Sequence, residues 1–108
     1  MSVLFYFTDF LVVLILYGGE LMGEKLNRYR KTVDRIDRRL AKLLARRYRE
    51  VLRIGRLKRG ARRDVVDRER EDEVLKRVLR LAKGEGEKEY IRSIYRLIFK
   101  ESSNIQRG

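Results

Sequence analysis

From Glu24 onward the apolar positions fall at helical spacing. Leu26, Tyr29, Val33, Ile36, Leu40 and Leu43 recur at alternating steps of three and four, the period of a seam that can lie along another long helix. The stripe continues through Arg47, Val51, Ile54 and Lys58 without a proline. Its first stop signal is Gly60, in the basic turn Lys58-Arg59-Gly60-Ala61-Arg62-Arg63. The spacing predicts a helix of about nine or ten turns. So short a chain cannot bury so long a helix, which calls for a second copy alongside. Asp64 then reads as the N-cap of a second helix, with Asp67 at its third position and Glu69, Glu71, Asp72 and Glu73 near the positive end of the helix dipole. Val65, Asp72, Leu75, Val78, Leu79 and Ala82 supply its inner face. Gly84-Glu85-Gly86-Glu87 separates it from a third helix, whose apolar face is Ile91, Ile94, Tyr95, Ile98 and Phe99 and which continues through Ser102 toward Gln106. With no alternating run and no internal repeat, the predicted fold class is all-α, with three helices per chain, one of them very long.

The start of the chain breaks this pattern. Met1 to Tyr17 is nearly all apolar, interrupted only by Ser2, Thr8 and Asp9. It is short for a membrane span, which wants about 20 apolar residues. It has no basic residue before Lys25, as a secretory signal would need, and no small-residue cleavage site follows. Gly18-Gly19-Glu20 can be encoded by GGAGGTGA, a purine-rich ribosome-binding sequence, just ahead of Met22. Residues 1–21 are therefore expected to be a leader upstream of the true start, with a membrane anchor as the second reading and a cleaved signal as the third. Residues 22–108 are the functional domain.

Charge sharpens the division. All 28 basic side chains lie in residues 25–108, against 13 acids there, whereas residues 1–24 hold only Asp9, Glu20 and Glu24. The chain has no Cys, His, Pro or Trp. That excludes disulfides, Cys/His zinc sites, cysteine or Ser/His nucleophiles and imidazole acid–base chemistry. Arg, Lys, carboxylates, amides and hydroxyls must carry any reaction. A charged fraction of 41% without cysteine matches the composition of thermophile proteins.

Polar residues that fall where the period asks for apolar ones carry the chemistry. Arg47 and Lys58 sit eleven residues apart on the inner stripe of the first helix, so three turns separate two cations on one face. Snorkelling to water is the ordinary explanation for one such residue; two on one stripe favour a shared anionic ligand. Arg30 lies beside the same seam, where a partner helix could receive it. Ser102 and Gln106 extend the stripe of the third helix with a hydroxyl and an amide, otherwise the polar residues of a fraying end. Glu69, beside Arg68, flanks the inner face of the second helix, where a dipole-complementing acid is the plain alternative. Together these groups describe a pocket for a small polyanion that carries a hydroxyl.

The segment Leu26 to Gln106 resembles the all-helical class of chorismate mutases. The residues that carry the resemblance are Arg30 followed by Ile36-Asp37, the run Leu40-Ala41-Lys42-Leu43-Leu44-Ala45-Arg46-Arg47, and Ile54-Gly55-Arg56-Leu57-Lys58, then Asp67-Arg68-Glu69-Arg70-Glu71 and the ending Ile98-Phe99-Lys100-Glu101-Ser102-Ser103-Asn104-Ile105-Gln106. The resemblance implies an intertwined antiparallel helical homodimer that isomerises the chorismate dianion to prephenate on the way to phenylalanine and tyrosine. It implies a cytoplasmic enzyme with no cofactor, no metal, and no nucleic-acid or membrane partner. Lys58, Gln106 and Glu69 would be its catalytic residues. Arg47, Arg68, Ser102 and Val65 would bind substrate, joined by Arg30 from the partner subunit. The family often has an acid four residues before the glutamate; Val65 holds that place here, with Asp64 one residue away, and the preceding turn is about two residues shorter. Two rival classes are a basic helical nucleic-acid binder and a non-catalytic coiled-coil dimer module.

Overall fold

The computed structural model describes residues 3–108, with side chains described from Thr8 onward. Among these residues the chain is three α-helices: α1 Val3–Gly60, α2 Arg68–Leu79 and α3 Glu85–Arg107. The helix expected from Glu24 begins at Val3 instead, because the apolar run is free of proline and Gly18, Gly19 and Gly23 do not break it. Met1 and Ser2 of the expected leader lie outside the described residues. No helix among them is long and apolar enough to cross a membrane.

The chain divides into two compact units, Met1–Lys42 and Leu43–Gly108. In the first unit the predicted seam is laid bare. Leu26, Tyr29, Val33, Ile36 and Leu40 are all exposed, Tyr29 to 72%. The second unit contains the end of α1, all of α2 and α3, and the only described hydrophobic residue that is buried, Val51.

α1 ends as expected at Gly60, but by a different device. Arg62, not glycine, takes the left-handed conformation, at φ 55°. Its N–H donates to the Arg59 carbonyl at 3.2 Å, and the Arg63 N–H reaches back to the Lys58 carbonyl at 2.8 Å. This pair of bonds closes the last turn in the Schellman pattern. The chain then needs four more residues to reach α2, so the N-cap is Asp67 and not Asp64. Its carboxylate accepts from the Arg70 N–H at 3.0 Å. That later start changes the inward face of α2: Val65 precedes the helix and Asp72 is exposed, while Glu71, Val74, Leu75, Val78 and Leu79 are half-buried. α3 starts from Gly84, with Glu87 accepting from the Lys83 N–H at 2.7 Å. Ile91, Tyr95, Ile98 and Phe99 are half-buried along α3, and Tyr95 and Phe99 meet edge to face with centroids 5.7 Å apart. Ile94 is exposed. The end of α3 does not fray: Ser102, Ser103 and Gln106 are its buried residues.

Candidate active site

The polar end of α3 faces the polar end of the α1 stripe. Arg47 Nη1 donates to Ser102 Oγ at 2.6 Å, and Ser102 Oγ donates in turn to the Ile98 carbonyl at 2.6 Å. Three turns along α1, Lys58 Nζ donates to the Val65 carbonyl at 2.9 Å, which ties the lysine to the segment that enters α2. Between these two cations Gly55 lets α3 come close. A Cβ at position 55 would stand 2.9 Å from Gln106 Cα and 3.1 Å from its Cγ.

These contacts enclose a cavity of about 310 Å³, lined by Arg47, Val51, Ile54, Lys58, Val65, Asp67, Arg70, Glu71, Val74, Phe99, Ser102, Ser103 and Gln106. Apolar side chains make part of the wall and a few convergent polar groups the rest, the usual make-up of a small-molecule site. Gln106 is 7% exposed, and its Oε1 is sealed from solvent without a hydrogen-bonding partner. Buried amide oxygens are nearly always paired, so this acceptor is an uncompensated polar atom in the ligand-free site.

Arg47, Lys58, Val65, Ser102 and Gln106, all expected from the sequence, come together here. Arg68 and Glu69 do not. Arg68 lines a wider adjoining basin of about 1030 Å³ with Lys58, Arg63 and Arg107, and Glu69 is exposed beside Asp72, Glu73 and Lys76. The cap at Asp67 turns both away and brings Arg70 and Glu71 to the cavity in their place. One signal in the sequence pointed to them: counted from Glu71, the residue four positions earlier is Asp67, the acid that is missing when the count starts from Glu69. Ser103 and Gly55 had no comparable signal. Arg30 lies on α1 in the first unit and is exposed.

Arg70 Nη1 also reaches Glu73 at 3.3 Å, and Arg77 Nη2 reaches the same carboxylate at 2.6 Å. Hydrogen bonds from Arg70 and then Arg77 hold the exposed Glu73 carboxyl below the usual carboxylate range. Glu73 thereby orients Arg70 from outside the cavity.

A helical cavity with three cations, two carboxylates, an amide and two hydroxyls is a site for a small anion, built without a nucleophile of the cysteine or histidine kind. Residues 29–107 match the family described as chorismate mutase type II, and the chain belongs to that family. Comparisons with curated proteins and with solved structures give no match. The activity is that of a chorismate mutase, an isomerase of aromatic amino acid biosynthesis.

Proposed function

We propose that the cavity between the ends of α1 and α3 is where chorismate rearranges to prephenate, and that a second copy of the chain completes it. The observation that carries this reading is the convergence of Arg47, Lys58, Glu71 and the buried Gln106 amide on one cavity of small-molecule size. The rearrangement is a unimolecular pericyclic shift. One carbon–oxygen bond breaks as one carbon–carbon bond forms, with no proton transferred and no nucleophile consumed. The protein must fold a flexible dianion into a compact chair and stabilise the charge that gathers on the ether oxygen.

Each group then has a task. Arg47 grips one carboxylate through a fork of donors, held in place by Ser102. Arg30 of a second copy grips the other, which fixes the reacting ends near each other. Lys58 and the Gln106 amide nitrogen donate to the ether oxygen as negative charge develops there, the logic of an oxyanion hole. Glu71 accepts from the ring hydroxyl, in the place the resemblance gave to Glu69, and Arg70 replaces Arg68 beside it. Val65 contributes its main chain, which already holds Lys58. An acceleration of ~10⁶ needs ~8 kcal/mol, within reach of preorganised donors in a dry site.

The homodimer is supported by the bare seam of Leu26, Tyr29, Val33, Ile36 and Leu40, apolar surface that a single chain leaves in water. Antiparallel pairing of two such seams would bring the start of one α1 beside the later part of the other, and Arg30 with it. Residues 1–21 lie outside the family match, and the reaction as proposed does not use them. The cytoplasm is the compartment in which we expect it to run. The test is ultraviolet loss of chorismate with purified protein, with a salt-dependent DNA shift on the same sample. Loss of chorismate without a shift is expected; a shift without loss of chorismate would contradict the proposal.

A further inference from the structure

Ser102 and Ser103 are adjacent, both line the cavity, and both are buried, at 8% exposure each. Their hydroxyls are nevertheless in opposite states. A serine hydroxyl has one proton to donate. Ser102 gives its proton to the Ile98 carbonyl and accepts from Arg47, each at 2.6 Å, so no donor is left for a ligand. The Ser103 hydroxyl makes no hydrogen bond among the described residues, and it does not take the bond to the Phe99 carbonyl that would correspond to the one Ser102 makes to Ile98. Its oxygen is not sealed from open space in the way that Gln106 Oε1 is.

We propose that Ser103 is a further substrate-binding residue, whose hydroxyl donates to a carboxylate oxygen of the bound dianion, while Ser102 acts through Arg47 alone. The inference rests on the cavity being the chorismate site. The chemistry of the wall selects the acceptor: Arg47, Lys58 and Arg70 draw carboxylates into the cavity, and an ionised carboxylate offers about four acceptor positions, more than one guanidinium fork fills. A neutral hydroxyl adds a bond there without bringing a further charge out of water. Ser103 also stands one helical turn before Gln106, so the two lie on one face of α3.

The experiment compares initial rates of chorismate loss in Ser103→Ala, Ser103→Thr, Ser102→Ala and Arg47→Ala. Ser103→Ala should raise KM about tenfold, the effect of a lost bond to a charged group, with kcat within about twofold. Ser103→Thr keeps the hydroxyl and should bring KM back toward the parent value. Ser102→Ala should lower kcat as well, because Arg47 loses its support. If melting shows that Ser103→Ala is poorly folded, Ser103→Cys keeps nearly the same volume with a weak donor and should show the same rise in KM. An unchanged KM in Ser103→Ala, with Arg47→Ala inactive, overturns the role of Ser103 and leaves the cavity standing as the site. Full activity in Arg47→Ala overturns the cavity reading and this inference with it.

Discussion

Gly55 in α1 and Gln106 in α3 approach so closely that a Cβ on residue 55 would stand 2.9 Å from Gln106 Cα. The atom in the way is backbone, so a rotamer change cannot relieve the clash. α3 itself must move, and with it the amide proposed to reach the ether oxygen. Gly55→Ala should therefore destabilise by about 1–3 kcal/mol, the usual cost of overpacking. It should also lower kcat by about tenfold or more, since displacement of a preorganised donor is felt in the transition state. Thermal melts and steady-state kinetics on one preparation check both.

An amide keeps its donor at every working pH, whereas a carboxyl donates only when protonated. Gln106→Glu should confine activity to acidic pH, and the neighbouring Lys58 and Arg47 should push the limit lower still by favouring the ionised form. A pH–rate profile is the measurement. Unchanged activity at neutral pH in this variant would remove Gln106 from the site.

The inward face of α2 gives a second contrast. Glu71 lines the cavity and Glu69 does not. Glu71→Ala should lower kcat/KM by about a hundredfold, the scale of one lost polar partner of the transition state. Glu69→Ala should stay within about twofold, as exposed surface changes usually do. Kinetics of the two variants, side by side, check the register of α2.

Arg62 holds a left-handed conformation that costs a residue with a Cβ about 1–2 kcal/mol. Arg62→Gly should stabilise the fold by about 1 kcal/mol and raise Tm by several degrees. Because Arg62 does not line the cavity, kcat and KM should be unchanged. Calorimetry of the variant against the parent tests the turn.

The reach of the sequence follows from which features are local. Arg47 and Lys58 could be placed on one face because eleven residues of unbroken helix make three turns, and Ser102 and Gln106 because four residues make one. The helix count follows from the same periodicity. The register of α2 was not legible in that way. Asp64 and Asp67 are equally good caps, and what decides between them is the left-handed turn at Arg62, a position where glycine is the residue ordinarily expected. The choice of cap moves the inner face from Asp72, flanked by Glu69, to Glu71 and Val74. The Gly55 approach and the idle hydroxyl of Ser103 are tertiary facts, visible only once α3 lies against α1. The true start of α1 was hidden because a run apolar on all sides has no helical period to read.

As proposed, one site needs two chains, Arg47 from one and Arg30 from the other. Arg30 and Arg47 are 17 residues apart in sequence, and 17 residues of straight helix would span ~25 Å, beyond the reach of side chains on one copy. Arg30→Ala and Arg47→Ala should each be inactive alone. Mixed and allowed to exchange subunits, they form heterodimers in which one site carries both lesions and the other carries neither. Chorismate loss should then return, up to about one intact site per heterodimer. If mass analysis verifies exchange and no activity returns, Arg30 does not act across the dimer, and the shared-site account is contradicted.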